Sequence, residues 1–147
     1  MYLMDVCCQK AVCVDRGEPV VRAAQAMRAH DVGELVVTRE VGRRAVPVGI
    51  VTDREIVLRA VAEEAMDLST LAVGDLLPPD PMILGAFTHI DEAVRRMGAE
   101  LVRRAPVVDT DGRLVGYVTL EGLLDAMLTS SRRGHWNQRE WTTLMEY

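Results

Sequence analysis

Residues 15–37 read DRGEPVVRAAQAMRAHDVGELVV, and residues 85–107, which begin 70 positions later, read GAFTHIDEAVRRMGAELVRRAPV. Each copy is followed by a similar signature, GIVT at residues 49–52 and GYVT at residues 116–119. An internal repeat of this length predicts two similar halves that pack together. Ligands are often bound between such halves.

The spacing of apolar residues predicts the first helix of each copy. Apolar side chains at i, i+3, i+4 and i+7 form one stripe of an amphipathic helix. Two apolar runs joined by a polar turn follow each helix, which predicts a β-hairpin, and the first hairpin is longer than the second. The two helical stripes are Val20, Ala23, Ala24 and Met27, and Ile90, Ala93, Val94 and Met97.

A second helix is predicted to open at Thr52 and at Thr119, and a short strand is predicted before the first helix of each copy. Each copy is therefore expected to fold as strand, helix, hairpin and helix. The predicted buried stripes of the second helices are Ile56, Val57, Ala60 and Val61, and Leu120, Leu123, Leu124, Met127 and Leu128.

These elements predict the organisation of the chain. We expect a first repeat at residues 3–62, a linker at 63–72, a second repeat at 73–129 and a tail at 130–147. Neither repeat is large enough to be robust alone, because small domains bury a low fraction of their surface. The tail carries both tryptophans and is expected to pack on its own chain or on a neighbouring subunit.

Composition restricts the class of protein. The chain has 147 residues, of which 49% are apolar and 27% are charged, as is ordinary for globular proteins. Its net charge of −5 argues against generic nucleic-acid binding, which requires a basic face. The sequence shows no long apolar run and no secretory leader, which predicts a cytoplasmic protein without a membrane segment.

Metal-binding and catalytic patterns are not found in the sequence. Cys7, Cys8 and Cys13 crowd near one end and the three histidines are scattered, so no set of four ligands with recognisable spacing occurs. We interpret the cysteines as small buried apolar residues. Neither a Ser-His-Asp arrangement nor a glycine-rich phosphate loop is present. The sequence therefore predicts neither a metal site nor an enzyme.

The ordered set of motifs, occurring twice, resembles a tandem pair of CBS domains (a Bateman module) in a stand-alone CBS-domain protein. The matching features are the A-x-x-x-M helices at Ala23 and Ala93, the strand APVV at residues 105–108, and the Gly-x-Val-Thr signature. The resemblance implies an α/β (α+β) fold of two β-α-β-β-α repeats packed with pseudo-twofold symmetry. It also implies a regulatory, signal-transducing homodimer whose cleft between repeats binds an adenine nucleotide (AMP, ATP, NAD or S-adenosylmethionine type).

The resemblance further implies which residues contact the nucleotide. In such modules the threonine that opens the second helix contacts phosphate, and an aspartate three residues later holds the ribose. Glu55 replaces that aspartate in the first copy and Gly122 replaces it in the second, so the first copy is the better candidate. Arg54, next to the helix start, is a candidate for bidentate pairing with phosphate. The expected contact residues are Val12, Cys13, Leu35, Val36, Thr52, Asp53, Arg54, Glu55, Ile83, Ala105, Pro106 and Thr119.

Two alternative interpretations stay open. The pattern T-x-x-E is also a capping box, so a purely structural role for Thr52 and Glu55, contributing about 1 kcal/mol, explains the same residues. The chain is also consistent with an assembly module whose clefts no longer bind ligand, with the tail making the contact. No interpretation requires a cofactor, and an adenosine-type molecule is the small-molecule ligand that we expect.

Overall fold

The computed structural model describes residues 1–8, 10–63 and 67–130. The chain divides into two compact units. The first unit is Ala11–Ile83, and the second unit combines Met1–Lys10 with the chain from Leu84 onward. Apart from Ser130, the tail predicted at residues 130–147 lies outside the described part of the chain.

The described residues of the first unit form a three-stranded sheet, two α-helices and a 3-10 helix at Val73–Leu76. Strands β1 (Cys13–Asp15), β2 (Glu34–Val41) and β3 (Arg44–Thr52) lie in the order β1-β2-β3, with β1 parallel and β3 antiparallel to β2. Helix α1 (Val20–His30) connects β1 to β2. Helix α2 (Asp53–Glu55) follows β3 directly and continues as a π-helix over Ile56–Val61.

The second unit repeats this order of elements. Strands β4 (Leu84–Gly85), β5 (Arg104–Val108) and β6 (Leu114–Thr119) form a sheet in the order β4-β5-β6. Helix α3 (Ile90–Ala99) connects β4 to β5, and helix α4 (Leu120–Ser130) follows β6. The predicted β-α-β-β-α order and the mixed α and β class are therefore confirmed in both units.

The first helices bury most of the predicted stripes. Val20, Ala23 and Met27 of α1 are buried, and so are their counterparts Ile90, Ala93 and Met97 of α3. The small alanine at the centre of each stripe is fully buried. Ala24 is exposed, which corrects the prediction for that residue.

The second helices bury a narrower stripe than the sequence predicts. Ile56 and Ala60 are buried, but Val57 and Val61 are 55% and 52% exposed. Val57 accepts a hydrogen bond from the amide of Ala62, five residues on, at 2.9 Å, which widens the helix to the π form. The same correction applies to α4, in which Leu124 and Leu128 are 43% and 71% exposed.

Each unit includes the segment that precedes the other repeat in sequence. In the first unit the amide of Val20, which begins α1, donates to the carbonyl of Leu71 at 2.8 Å, and the amide of Val73 donates to Glu18 at 2.9 Å. The equivalent bonds of the second unit, 70 residues displaced, run from Ile90 to Met1 (3.1 Å) and from Leu3 to Thr88 (3.0 Å). These leading segments therefore satisfy backbone groups at the helix starts, which have no hydrogen-bond partner within the helix.

The glycine of each Gly-x-Val-Thr signature lies where a leading segment crosses the hairpin. A Cβ on Gly116 would stand 2.1 Å from the carbonyl oxygen of Cys8, whose backbone exchanges two hydrogen bonds with Tyr117. A Cβ on Gly49 would stand 2.9 Å from the side chain of Leu77. The close approach of the Cys8 backbone explains the glycine at 116, whereas Gly49 also has a φ of +157°, which other residues rarely adopt.

Candidate functional site

The ends of three strands meet on one side of the first unit. Cys13 of β1 is aligned with Val36 of β2, and the amide of Val36 donates to the carbonyl of Val12 at 2.9 Å. On the other side of β2, Leu35 is aligned with Val51 of β3. Because Thr52 follows Val51, the start of α2 lies at the same end of the sheet as these predicted contact residues.

The start of α2 is a capping box, as the sequence predicts. The amide of Glu55 donates to Oγ1 of Thr52 at 3.3 Å, and the amide of Thr52 donates to Oε2 of Glu55 at 2.8 Å. The hydroxyl of Thr52 also lies 3.2 Å from Oε2. Both bonds to the Glu55 carboxylate use Oε2, so Oε1 of Glu55 has no hydrogen-bond partner among the described residues. Capping of the helix therefore uses only one oxygen of this carboxylate, Oε2.

Asp53 and Arg54 form the exposed rim of the helix start. The amide of Asp53 donates to the carbonyl of Gly33 at 2.9 Å, and the amide of Arg54 donates to Oδ1 of Asp53 at 2.7 Å. The guanidinium of Arg54 is exposed and forms no ion pair with any described residue. A phosphate at this helix start would thus meet one free cation, and it would compete with Asp53 for the amide of Arg54.

The predicted apolar contacts differ in their accessibility. Val12 and Ile83 are half-buried, and Ile83 is the last residue of the first unit. Leu35 and Val36 are 1% and 3% exposed, and Leu35 belongs to the hydrophobic core of the first unit. Leu35 therefore supports the strand end from within the core.

Cys13 is exposed, which corrects its interpretation as a buried apolar residue. Partial burial of its thiol raises the pKa of Cys13 above its ordinary value. The thiol is therefore protonated at neutral pH and presents a weakly polar surface beside β2.

The second unit has a related but altered site. Oγ1 of Thr119 accepts a hydrogen bond from the amide of Gly122 at 3.0 Å, so Thr119 caps α4 without an acidic partner. Thr119 is aligned with Arg104 of β5, next to the buried Ala105 and Pro106. The three residues predicted for this site thus lie at one end of the sheet.

An ion pair at the start of α4 was not predicted from the sequence. Arg103 pairs with Glu121, and its carbonyl accepts the amide of Leu120 at 2.8 Å. The guanidinium of Arg103 holds the pKa of Glu121 below its ordinary value. In the first unit, Gly33 takes the place of Arg103 and Arg54 takes the place of Glu121. Arg54 therefore forms no ion pair with a carboxylate among the described residues.

Neither a metal-binding cluster nor a membrane-spanning helix occurs among the described residues. In residues 1–8, 10–63 and 67–130, no three His, Cys, Asp or Glu side chains are grouped so as to hold a metal ion. Within the same residues, every helix is too short or too polar to cross a membrane.

The chain belongs to the CBS domain family, whose sequence profile matches residues 3–62 and 73–129. Hypoxic response protein 1 of Mycobacterium tuberculosis is 36% identical over 107 residues, which cover 73% of this chain and 71% of that protein. Protein MK0525 of Methanopyrus kandleri is 31% identical over 107 residues, or 73% of this chain. The match spans only 53% of the length of MK0525, about half.

Solved structures agree with this assignment. A crystal structure of Hypoxic Response Protein I with two coordinated zinc ions has a TM-score of 0.70 and 32% identity, covering 85% of this chain and 98% of that one. A crystal structure of CBSX2 in complex with AMP has a TM-score of 0.68 and 26% identity, covering 89% and 98%. The predicted family is confirmed, and one of its structurally similar members binds AMP.

Proposed function

We propose that this chain is a regulatory module that binds an adenine nucleotide at the start of α2 in the first unit. The observation that carries the proposal is the set of unused polar groups at Thr52–Glu55. The guanidinium of Arg54 and Oε1 of Glu55 have no partners among the described residues, and both residues belong to the helix that starts at the end of the sheet where β1 and β2 begin and β3 ends. Membership of a family in which CBSX2 carries AMP supports the ligand class.

Each group has a chemical role in this proposal. Arg54 binds the phosphate bidentately, and the hydroxyl of Thr52, which donates to Oε2 of Glu55 in the structure, turns to donate to the phosphate. Oε1 of Glu55 accepts hydrogen bonds from the ribose hydroxyls while Oε2 keeps the helix capped. The base lies against the accessible apolar side chains of Val12, Cys13 and Ile83. Val36 and Leu35 hold the strand end in place behind them.

The second unit is proposed to be the weaker site. Thr119, Ala105 and Pro106 provide a helix cap and an apolar strand end, but Gly122 offers no ribose acceptor. Arg103 is already paired with Glu121. A nucleotide there would have to replace that ion pair before it gained a phosphate partner.

A second copy of this chain is the proposed protein partner. The exposed apolar residues of the second helices occupy equivalent places in both units, Val57 and Val61 in the first and Leu124 and Leu128 in the second. An open groove of about 260 Å³ lies beside α1 and is lined by residues including Ile56 and Leu68. Exposed apolar stripes of this kind mark surfaces that bind another protein. We propose a homodimer through these helices and no catalytic step or required cofactor.

Thermal unfolding against AMP, ATP, NAD and S-adenosylmethionine tests the nucleotide proposal. A ligand at 100 times its dissociation constant stabilises the folded chain by about 2.7 kcal/mol, which raises the midpoint by several degrees. Arg54→Gln is expected to reduce the shift, whereas Arg95→Gln, an exposed arginine on α3, leaves it unchanged. If none of the four compounds moves the midpoint of the unmodified chain, the assembly module without ligand is the better explanation. The altered Gly122 position is the observation that favours this alternative.

Glu55→Gln separates capping from ribose binding. Glutamine preserves the capping box, so the free energy of unfolding without ligand is expected to change little. Loss of the charged acceptor is expected to weaken nucleotide binding about tenfold, as measured by isothermal titration calorimetry. Unchanged affinity would mean that the carboxylate is only a cap.

A further inference from the structure

The outer part of the β2–β3 hairpin, residues 39–46, extends beyond the three-stranded sheet. Strand β1 pairs with β2 only from Val36 to Thr38, so further out the hairpin is a two-stranded ribbon. Residues 39–45 are exposed, and Val46 is half-buried. We call residues 39–46 the basic ribbon, because they contain three arginines and one glutamate.

The register of the hairpin places most of this charge on one face. Residues paired across two antiparallel strands point to the same side of the sheet. Arg39 pairs with Val46, and Val41 pairs with Arg44, so two arginines and two valines share one face. Glu40 pairs with Ala45 on the other face. Arg43 lies at the tip, next to Gly42, which has a φ of +63° that favours glycine.

The charges of the ribbon are not neutralised by the rest of the described chain. None of the three guanidinium groups forms an ion pair with a residue in the parts that the structure describes. The ribbon carries a net charge of +2 in a chain of net charge −5. Beside these arginines, Val41 is 50% exposed, so a partly apolar surface accompanies the charge.

The second unit lacks this arrangement. Its hairpin turns at residues 109–113, which contain two aspartates and one arginine. Oδ1 of Asp109 accepts the amides of Asp111 and Arg113 at 2.9 and 2.8 Å, which closes a tight turn. The basic ribbon is therefore an addition to the first repeat and is not required to complete the shared fold.

We propose that the basic ribbon binds an acidic, extended segment of a partner protein in which carboxylate and apolar side chains alternate along one face, at every second residue. Along the ribbon, no other described strand covers the outer edges of β2 and β3, so their backbone groups are available to an added strand. The arginines pair with carboxylates, and the two valines contact the apolar side chains between them. Charge and apolar surface on one face match a segment with the same alternation.

A nucleic acid is the less suitable occupant of this surface. Residues 34–52 contain no aromatic side chain on which a base stacks. The net negative charge of the chain also opposes a long polyanion. These two facts favour the protein segment, and the experiment compares the two directly.

Fluorescence anisotropy with labelled probes tests the proposal. The probes are a peptide of repeated Glu-Ser-Val-Ser, which places glutamate and valine on one face when extended (the glutamate–valine peptide), a matched peptide with serine in place of valine (the glutamate–serine peptide), and oligouridylate of equal charge. The double variant R39E/R44E is expected to lose at least about tenfold in affinity for the glutamate–valine peptide. The control R95E/R113E, which changes the net charge equally at two exposed arginines outside the ribbon, is expected to keep it. Val41→Thr is expected to weaken binding of the glutamate–valine peptide and to leave the glutamate–serine peptide unaffected.

Three results would overturn the proposal. Equal losses in the two double variants would show that net charge alone attracts the peptide. Tighter binding of oligouridylate than of the peptide would identify a nucleic-acid surface. A change in the sedimentation of R39E/R44E without any probe would make the ribbon a contact between copies of this chain. Circular dichroism of each variant verifies that it is folded.

Discussion

At the scale of single residues, Gly116 is fixed by the close approach of another chain segment. The carbonyl of Cys8 occupies the space of a Cβ, and neither backbone can shift without breaking the two hydrogen bonds between Cys8 and Tyr117. Gly116→Ala is therefore expected to lower the free energy of unfolding by about 1–3 kcal/mol, the usual effect of overpacking. Urea denaturation measures the change.

Gly98 provides the matched control for this substitution. It lies within α3, and a Cβ there would meet no atom within 4 Å. Gly98→Ala is expected to stabilise the chain by about 0.5–1 kcal/mol, because alanine loses less conformational entropy in a helix. If both substitutions had the same sign, the steric account of Gly116 would be wrong.

The pair Arg103 and Glu121 predicts a change in titration. Arg103 holds the pKa of Glu121 below its ordinary value. Arg103→Gln is expected to raise that pKa toward the ordinary value, as followed by NMR of the carboxyl carbon. Because the folded-state pKa is the lower one, the pair stabilises the fold above the unfolded-state pKa, and this contribution is lost as the pH falls through the folded-state pKa. An unchanged titration would show that the ion pair is not populated in solution.

The contrast between the two helix starts shows what a sequence reveals at this scale. The capping box of Thr52 and Glu55 was predictable, because its partners are three residues apart and the pattern is local. The pair of Arg103 and Glu121 was not, because the hairpin of β5 and β6 separates the two residues in sequence. The sequence likewise does not show which oxygen of Glu55 is free, because this depends on the conformation of the side chain.

At the scale of elements, the exposed side of α4 predicts how copies of the chain associate. Leu128 is 71% exposed, so its replacement by glutamate costs the isolated chain little. In the proposed homodimer the same change places a charge in an apolar contact. Leu128→Glu is therefore expected to sediment as a monomer while the unmodified chain sediments as a dimer.

Thr129 provides a neighbouring control on α4. Its hydroxyl donates to the carbonyl of Asp125 at 2.8 Å, and it lies about 100° around the helix from Leu128. Thr129→Glu is expected to sediment as the unmodified chain does. A dimer of unchanged stability in Leu128→Glu would exclude α4 from the interface.

The elements themselves were largely predictable, but their buried sides were not. Periodicity located α1, α3 and the two hairpins, because helix and strand periods are local properties. It could not show that Val57 and Leu128 face outward, since an apolar residue looks the same in a core and in an interface. The π-helix also shifts the register of the buried apolar stripe after Glu55. The residues of that segment carry no sequence pattern that predicts a π-helix.

At the scale of the whole molecule, the chain passes between its units twice, after Lys10 and after Ile83. The repeat itself was predictable from the 70-residue offset. The exchange of leading segments was not, because it depends on hydrogen bonds between residues far apart in sequence, such as Leu3 with Thr88. The sequence-based division at residues 3–62 and 73–129 describes the repeats, whereas the compact units contain parts of both.

Because of this exchange, we expect the chain to reassemble from two separate fragments. A fragment that ends at residue 63 carries the leading segment of the second unit, and a fragment that begins at residue 67 carries that of the first. Leu3 and Val73 are fully buried, so each fragment alone leaves an apolar cleft that the other fills. The two fragments, mixed without a covalent link, are therefore expected to form one complex and to co-elute on size-exclusion chromatography. Separate elution of the fragments would contradict the exchange.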